Sequence, residues 1–536
     1  MDPPPPPVAP SGVGPDRVLW RQERPIGHGP IRVARVGPVL VVDLLLDHAL
    51  VVFRTDERGR PIGEPARIQH DGPIWSFDAV VVPGRDELLI ATGGVEDHPL
   101  DRTIGSFGYI DSFLTIYRLP FGSAAAPLRA TRLSMTNLSV IGVVTPKVID
   151  LQPTSSSAPG GRAVVTGYGS GVMATLEWSR FDREPTTVTR PLAPGTTSLL
   201  RRFDGALLFA DPLLDAWLVA TPTQVTTVAC DRVASVPVAS VPAASPAPPR
   251  ATPLGEALFY TTLIAPWNTA EGPASRFTCE TCHFEGGIDG RTHHTGRGDV
   301  KATTKPLRGL LNNRPYFSRA LDPDLATMVN NEFRVAGANS GRDPWFDLRV
   351  ADFPWLRTLG VSDPELTAPA LRRALIGFLA GTPHFPNPQT LSAVGYDPQQ
   401  RAGARVFRDR CEGCHQARLV ADEPGSRVTF DQWERSIFSE SDPLVWGTAD
   451  YQRTGVVPYV HERGARVPSL RRVSAKFPYF TNGTARSLDQ VIARARFVTD
   501  GGRFSHDQDP ANLDQDAGRG LDAAAAAALA AFLQLL

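Results

Sequence analysis

The chain has 536 residues, with 55 basic and 56 acidic side chains and a net charge of −1. This balance excludes partners that are held by a strongly basic surface, so we expect no nucleic acid partner. The length exceeds what one hydrophobic core supports and predicts about three domains. The sequence contains no apolar run of about 18 residues, so it predicts no transmembrane segment.

Residues 1–15 are rich in proline, with an unbroken run of prolines at positions 3–7. They show neither the basic start nor the apolar stretch of a signal peptide. We therefore expect residues 1–15 to form a stiff, extended tail.

Residues 16–235 read as an all-β domain, because short apolar runs alternate with Gly, Pro, Asp and Asn. One segment is repeated: residues 37–47 return as residues 205–215, at an offset of 168, which is four times 42. A strand–turn–strand unit recurring about every 40–45 residues is typical of β-propeller blades. The pattern predicts a β-propeller of about five blades, with a β-sandwich as the alternative.

Residues 236–250 consist mainly of Val, Ala, Ser and Pro and lack periodicity, so they predict an exposed linker. Cys230, just before this linker, is expected to be a small buried apolar residue. After the linker, Thr252 and Pro253 form a helix-start signal.

Two segments share the pattern Cys-x-x-Cys-His, at residues 279–283 and 411–415. This is the attachment signature of c-type haem, in which two thiols bind the porphyrin and the adjacent histidine ligates the iron. The cysteines are Cys279, Cys282, Cys411 and Cys414, and the proximal histidines are His283 and His415. The alternative is a pair of zinc half-sites. The sequence predicts two covalently bound haem c groups and therefore redox chemistry.

The region around these motifs is duplicated. A Leu-Arg segment and a Pro-Tyr-Phe segment follow each motif, at a constant offset of 163 in the numbering. Each unit ends in an apolar helix, which we expect to begin at Asp363 in the first unit and to cover residues 521–536 in the second. We expect two mainly α cytochrome c-type domains, at residues 251–395 and 396–536. Arg308 and Arg471, at equivalent positions, are candidates for ion pairs with haem propionates.

Covalent haem c is attached outside the cytoplasm, so the motifs predict a periplasmic or other extracytoplasmic protein. A signal peptide is not visible in this chain, and we expect that it has been removed.

Residues 253–536 resemble the bacterial dihaem cytochrome c peroxidase and MauG family. The resemblance rests on residues 254–259 and 401–407 before the two motifs, on the motifs themselves, and on residues 466–471 and 478–488. It implies that one haem is peroxidatic and that the other transfers electrons. The N-terminal β domain would then be fused to a dihaem module.

The resemblance implies roles for several residues near the first motif. This haem would be the peroxidatic one, and Glu332 lies where the family keeps the distal acid that moves a proton during peroxide cleavage. His293 or His294 would correspond to a histidine that covers the iron in the resting state. Tyr316 stands where the family usually has the tryptophan that relays electrons between the haems.

The resemblance places the second iron's distal ligand near Ala495, where the family has methionine or tyrosine. The four methionines are Met1, Met135, Met173 and Met328, so none follows the second motif. His506 is the preferred ligand, and His461 or a tyrosine is the alternative. The family's calcium between the haems is doubtful here, because residues 303–306 lack the usual asparagine.

The sequence therefore predicts a dihaem oxidoreductase that uses hydrogen peroxide at the first haem and passes oxidising equivalents through the second. Its electron source would be a small redox protein or, as in MauG-like enzymes, a protein substrate. The alternative is an electron-transfer or redox-sensing protein in which the propeller is a binding module.

Overall fold

The computed structural model describes residues 25–97, 110–122, 126–154, 160–191, the strands between 198 and 229, 253–266, 278–294, 301–310, 316–317, 322–336, 346–382, 397–411, 415 and parts of 468–536. The proline-rich tail, the linker at residues 236–250 and Cys230 lie outside these residues.

The N-terminal half contains four antiparallel sheets of four strands, and each sheet is built from strands consecutive in the chain. The first has β1 (Pro30–Val36), β2 (Val39–Leu44), β3 (Ala49–Thr55) and β4 (Pro61–Gln69). The second has β5 (Ile74–Val81), β6 (Glu87–Asp97), β7 (Ile110–Pro120) and β8 (Thr131–Asn137). The third has β9 (Pro146–Pro153), β10 (Gly161–Gly167), β11 (Val172–Trp178) and β12 (Thr186–Pro191). The fourth has β13 (Ser198–Phe203), β14 (Ala206–Asp211), β15 (Ala216–Ala220) and β16 (Val225–Ala229).

Strand β6 shows how the sheets stack, because both of its faces are buried. Leu88 and Ile90 belong to a core shared with the first sheet, whereas Leu89 and Ala91 belong to a core shared with the third. A strand covered on both sides needs a continuous apolar run, which explains the sequence of this segment. The first strands of successive sheets also contact one another, β1 with β5, β5 with β9, and β9 with β13.

The described residues form four such sheets where we expected about five blades. The repeated segments, residues 37–47 and 205–215, contain the second strands of the first and fourth sheets. Their offset of 168 therefore spans three sheets and not four units of 42. The sheets are unequal in length, because their first strands begin at residues 30, 74, 146 and 198, so the three steps are 44, 72 and 52 residues.

The C-terminal half contains six α-helices among its described residues: α1 (Pro253–Tyr260), α2 (Leu325–Ala336), α3 (Ala368–Gly381), α4 (Pro398–Arg410), α5 (Leu488–Ala493) and α6 (Ala523–Leu533). Short strand pairs lie between them: β17 (Thr292–His294) with β18 (Lys301–Thr303), β19 (Leu348–Arg349) with β20 (Glu365–Leu366), and β21 (Ala495–Phe497) with β22 (Phe504–His506). Within the described part, no helix is both long and apolar enough to cross a membrane.

Helix α1 begins at Pro253, as its start signal predicts. Helix α3 begins later than expected, at Ala368 after the N-cap residue Thr367. The strand β20, just after Asp363, is held out of the helix by pairing with β19. The last helix is shorter than residues 521–536, because Asp522 caps its first turn and the helix ends at Leu533.

Each unit contains a pair of crossed helices that meet at a glycine. In the first, a Cβ atom on Gly255 of α1 would lie 2.1 Å from the backbone oxygen of Ala374 in α3. In the second, a Cβ atom on Gly403 of α4 would lie 1.9 Å from the backbone oxygen of Ala528 in α6. A phenylalanine pair follows each crossing: Phe259 with Phe378 at 5.2 Å between ring centroids, and Phe407 with Phe532 at 5.5 Å. The sequence duplication is therefore also a duplication of packing.

The Pro-Tyr-Phe segments repeat the same backbone. Tyr316 forms an isolated antiparallel bridge with Asp322, and Tyr479, its counterpart in the second unit, forms one with Ala485. The phenylalanine after each tyrosine has a positive φ of 63°, which is unusual for a bulky side chain. The identical conformations show that the two units share this local fold.

We predict that Gly403→Ala destabilises the second unit, because the new methyl group would force α4 and α6 apart. Overpacking of this kind typically costs about 1–3 kcal/mol. Urea denaturation of the full chain, followed by far-ultraviolet circular dichroism, measures the change. Arg405→Ala, on the exposed side of the same helix, is the control and should change stability by no more than about 0.5 kcal/mol. Equal stability of the two variants would contradict close contact at this crossing.

Candidate functional site

The first Cys-x-x-Cys-His segment forms a short 3₁₀ helix, Cys279–Thr281, whose start is fixed by a reciprocal pair of threonine bonds. The Thr281 N–H donates to Oγ1 of Thr278 at 3.1 Å, and the Thr278 N–H donates to Oγ1 of Thr281 at 3.2 Å. The His283 N–H then donates to the Cys279 carbonyl at 3.0 Å. This turn keeps both cysteines and the histidine close together.

The exposure of these side chains fits a covalent haem. Cys279 and Cys282 are both partly exposed, so a large planar group could reach these two positions. The described cysteines are not joined in disulfides. Nδ1 of His283 is buried, and burial lowers the pKa of this ring to about 4, although Asp289 opposes the shift. A neutral imidazole is the form that ligates iron.

The second segment repeats this geometry where it is described. Helix α4 ends just before Cys411, whose N–H donates to the Phe407 carbonyl at 2.7 Å. The His415 N–H donates to the Cys411 carbonyl at 3.0 Å, the same bond as in the first segment. His415 is buried, with its ring centroid 6.2 Å from that of Phe407. Cys414 lies outside the described residues.

The first segment is attached to the N-terminal sheets by a buried ammonium group. Lys147, on β9, donates to the carboxylate of Glu280 inside the first motif and, at 2.6 Å, to that of Glu285. Its Nζ atom also lies 4.4 Å from the ring centroid of Tyr168 and 5.2 Å from that of Phe284. Such cation–π contacts strengthen where water is excluded.

Charge and burial compete in this cluster. Glu280 is fully buried, and burial raises its pKa to about 7, although the charge of Lys147 acts in the opposite direction. Burial also acts to lower the pKa of Lys147, but the charges of Glu280 and Glu285 outweigh it and raise this pKa. The ammonium and the carboxylates therefore depend on each other inside the protein.

A second buried group follows the first motif. Asp289 is fully buried and accepts from the Arg291 N–H at 3.1 Å, and its Oδ2 lies 2.6 Å from Nε2 of His293. Burial acts to raise the pKa of Asp289, but the charge and hydrogen bond of His293 outweigh it, so the net shift is downward. His48, from the first sheet, places its Nε2 atom 2.7 Å from the Asp289 carbonyl oxygen.

Cys282, Asp289 and His293 place one ligand atom each within 4.8 Å of one another, so they could hold a metal ion. A cysteine that forms a thioether with haem is no longer a thiolate ligand, so Cys282 can serve only one of these two uses. His293 is also one of the two histidines that the family resemblance places near the first iron. Its Nε2 atom faces Asp289, so it would have to ligate the iron through Nδ1, which is buried.

An apolar junction surrounds the first segment. Its buried members include Trp75 of the second sheet, Ile288 of the first unit and Phe477 of the second unit, and Cys282 and Phe284 pack against this group. The N-terminal sheets and both haem-motif units therefore meet at this segment.

The two units also bond directly at the second Pro-Tyr-Phe segment. The Phe480 carbonyl accepts from Thr303 Oγ1 at 3.2 Å and from Lys305 Nζ at 3.2 Å. These donors belong to residues 303–306, where the resemblance places the family's calcium. At this position the ammonium group of Lys305 bonds to Phe480 of the second unit.

The structure places the other predicted residues as follows. Arg308 lies beside the first motif, and its Nε atom donates to the Glu285 carbonyl at 2.7 Å, while burial lowers its pKa. Tyr316 is buried, and its hydroxyl donates to the Leu310 carbonyl at 3.1 Å. Glu332 lies within α2, and His294 is the last residue of β17; their side chains lie outside the described part. Arg471 and His461 lie outside it altogether.

His506 is the last residue of β22, directly opposite Ala495 of β21. The resemblance places the second iron's distal ligand near Ala495. The pairing of β21 with β22 therefore brings the backbone of His506, the preferred ligand, next to that position. The side chain of His506 lies outside the described part.

Sequence reasoning missed Lys147, His48 and Asp289. Lys147 and His48 lie far before the motif in the chain, and a lone lysine or histidine in a strand-rich region carries no signal of a distant partner. In the sequence Glu280 occupies one of the two x positions of the Cys-x-x-Cys-His pattern, so the pattern gives it no role. Its full burial was not expected for a glutamate.

Comparisons with known proteins give limited information. No protein-family model matches the chain, and no curated protein matches it. Among solved structures, a MauG-like protein associated with microbial copper homeostasis is 17% identical, with a TM-score of 0.33, over 55% of this chain and 91% of that one. Hydrazine synthase from Kuenenia stuttgartiensis is 19% identical, with a TM-score of 0.29, over 55% of this chain and 89% of that one.

A sialidase from Trypanosoma rangeli is 13% identical, with a TM-score of 0.23, over 39% of this chain and 38% of that one. All three TM-scores lie below 0.5, so these likenesses carry no argument about function.

We predict that Lys147→Met strongly destabilises the contact between the sheets and the first motif. It would leave two carboxylates without their cation, and breaking a buried ion pair typically costs about 3–5 kcal/mol. Adding Glu280→Gln should recover part of this loss, because the group left fully buried would be neutral. Urea denaturation of the single and double variants measures both effects.

Arg60→Met is the control for this prediction, because it removes an exposed partner of Asp56, and exposed pairs contribute little. If Lys147→Met changes stability no more than Arg60→Met does, the buried ion cluster does not hold the first motif in place.

Proposed function

We propose that this protein is a dihaem c-type oxidoreductase of the cytochrome c peroxidase and MauG type. The observation that carries the proposal is the presence of two Cys-x-x-Cys-His segments, each with the same bond from the histidine N–H to the first cysteine carbonyl. Each lies in a unit with the same glycine-centred helix crossing. Two equivalent haem sites in one chain would allow two oxidising equivalents to be held at once.

In this proposal residues 251–395 and 396–536 are the two cytochrome domains. The four N-terminal sheets form a β-propeller that docks the redox partner or protein substrate. The protein acts in the periplasm or another extracytoplasmic compartment, where covalent haem is attached. Its partners are hydrogen peroxide and a small redox protein, or a protein that it oxidises.

Haem, when bound, supplies the iron at which peroxide is reduced. The residues of this chain would bind the haem, ligate its iron and move the proton. Cys279 and Cys282 would bind the first haem, and His283 would ligate its iron as a neutral imidazole. Arg308, beside this segment, would pair with a propionate. Glu332 would accept a proton from one peroxide oxygen and deliver it to the other.

At the second site Cys411, Cys414 and His415 would bind the haem, and Arg471 would take the role of Arg308. His506, opposite Ala495, would be the distal ligand. Two histidine ligands lower a haem potential relative to histidine and methionine. Tyr316, which lies between the two motifs in the sequence, would relay electrons between the haems.

We predict that the purified protein carries two covalent haems and that each motif holds one. Cys282→Ala and Cys414→Ala should each lose about half of the covalent haem stain on denaturing gels, since each motif attaches one haem. Only Cys282→Ala should also abolish the change in the haem absorption spectrum on mixing with hydrogen peroxide. The full stain in either variant would show that the corresponding motif is empty, and metal analysis would then test the trio Cys282, Asp289 and His293 for a bound ion.

We predict that Glu332→Gln and His506→Ala affect different haems. Glu332→Gln should slow the peroxide reaction by about 10²–10⁴-fold, because it removes the acid–base group, and should leave the second haem's spectrum unchanged. His506→Ala should convert the second iron to high spin, because it removes a strong-field ligand. Stopped-flow absorption and electron paramagnetic resonance measure these effects.

A Glu332→Gln variant that reacts at the wild-type rate would remove Glu332 from the mechanism. An unchanged low-spin signal in His506→Ala would move the ligand to His461 or a tyrosine. A wild-type protein that does not react with peroxide would contradict the peroxidase proposal and leave electron transfer as the function.

A further inference from the structure

Tyr117, His70 and Glu96 form a series of hydrogen bonds. Tyr117 and Glu96 belong to the second sheet, and His70 lies in the connection that leads into it. The hydroxyl of Tyr117, on β7, lies 3.0 Å from Nε2 of His70, and Nδ1 of His70 lies 3.1 Å from Oε1 of Glu96, on β6. Tyr117 is 7% exposed, and the His70 side chain is 6% exposed. The series is therefore shielded from bulk water.

The chemistry of the three groups fixes the direction of the hydrogen bonds. An ionised carboxylate only accepts, so Glu96 favours the His70 tautomer that carries its hydrogen on Nδ1. Nε2 of His70 then has a free lone pair and accepts from the Tyr117 hydroxyl. Burial, together with the charge of Glu96, raises the pKa of Tyr117 to about 12, so this residue rests as a phenol with a base already bonded to its proton.

The series connects to the first haem motif through further hydrogen bonds. The His70 N–H donates to the His48 carbonyl at 2.8 Å, and Nε2 of His48 lies 2.7 Å from the carbonyl oxygen of Asp289. Asp289 lies six residues after His283 in the chain. Hydrogen bonds therefore connect Tyr117, through His70 and His48, with Asp289, and only the backbone of residues 283–289 lies between Asp289 and the motif.

We propose that Tyr117 is a redox-active tyrosine that delivers an electron to the first haem site. Tyr117 would lose one electron to the oxidised first haem, which would be reduced by that electron. At the same time its O–H bond breaks and the proton forms an N–H bond with Nε2 of His70. Tyr117 becomes a neutral radical, and His70 becomes a cation that Glu96 stabilises.

This inference rests on the proposed function for its natural oxidant, which is a haem oxidised by peroxide. Beyond that function, it means that one oxidising equivalent can reside on Tyr117, in the N-terminal sheets, and not only on the haems. A purely structural role for the same three residues would fix the sheet but would produce no radical.

The experiment uses the full chain with both haems and two different oxidants. In one arm, the protein is mixed with hydrogen peroxide and freeze-quenched. In the other, flash photolysis of ruthenium tris(bipyridine) with a sacrificial acceptor supplies a one-electron oxidant that does not need peroxide chemistry. Electron paramagnetic resonance detects the radical, and ring-deuterated tyrosine should narrow its signal and so identify the residue type.

We expect a tyrosyl signal in the wild-type protein that is lost in Tyr117→Phe and kept in Tyr168→Phe. Tyr168 is the matched control because it is also buried in these sheets, but its ring faces the Lys147 ammonium, which disfavours loss of an electron. His70→Asn removes the base and should slow radical formation by about 10²-fold, the lower end of what a positioned base contributes.

The two proposals fail in different ways. If the haems react with peroxide but neither oxidant produces a radical that depends on Tyr117, this inference is wrong and the proposed function stands. If peroxide leaves the haems unchanged but the photochemical oxidant produces a Tyr117 radical whose yield falls in Cys282→Ala, which lacks the first haem, the proposed function is wrong and this inference stands. A photochemical radical of equal yield in Cys282→Ala would overturn this inference, because the electron would not pass to the first haem. An equal radical signal in Tyr117→Phe would also overturn it, and a comparison of urea denaturation curves shows whether that variant is folded.

Discussion

The arrangement of this protein depends on the buried ion cluster of Lys147, Glu280 and Glu285. Removing charged groups from water is costly, and the cost is offset only when they bond to one another with good geometry. Here the cation comes from the third sheet, and the anions come from the first motif and the turn directly after it. Glu285 even adopts a left-handed backbone with a φ of 51°, which a glutamate rarely does unless its surroundings hold it there. The N-terminal sheets are therefore part of the surroundings of the first motif and not a separate appendage.

The two motifs have the same bond from the histidine N–H to the first cysteine carbonyl, but they differ in their surroundings. The first is capped by Thr278 and lies against the sheets, through Lys147 and through the contact of Phe284 with Trp75, whose ring centroids are 6.0 Å apart. The second begins directly at the end of α4, and its core is the helix pair α4 and α6. Duplicated units that bind the same cofactor can differ in potential and access when one is buried against another domain. If each motif holds a haem, these different contacts would give the two haems different surroundings.

Local features of the sequence predicted local structure well. The start of α1 was predicted from its start signal, and the duplicated Pro-Tyr-Phe segments contain equivalent bridges at Tyr316 and Tyr479; both depend on residues close together in the chain. The number of sheets among the described residues differs from the expected five, because an even offset of 168 does not reveal that the successive steps are unequal, at 44, 72 and 52 residues. The partners of Glu280 and Asp289 could not be predicted at all. Lys147 and His48 become neighbours of the first motif only after the sheets have stacked, and a single sequence contains no record of such distant pairs.

Asp289 contacts both a residue of its own loop and a residue of the N-terminal sheets. Its side chain bonds to His293, within its own loop, and its carbonyl oxygen bonds to His48, in the first sheet. His48 itself has a left-handed backbone, with a φ of 52°, at the turn between β2 and β3, and its carbonyl accepts from His70. Because each of these groups is largely buried, a change of charge at any one of them acts on the next with little screening by water. A change of charge at the first motif would therefore affect the second sheet through Asp289, His48 and His70. The same hydrogen bonds help to hold the sheets against the segment that follows the motif.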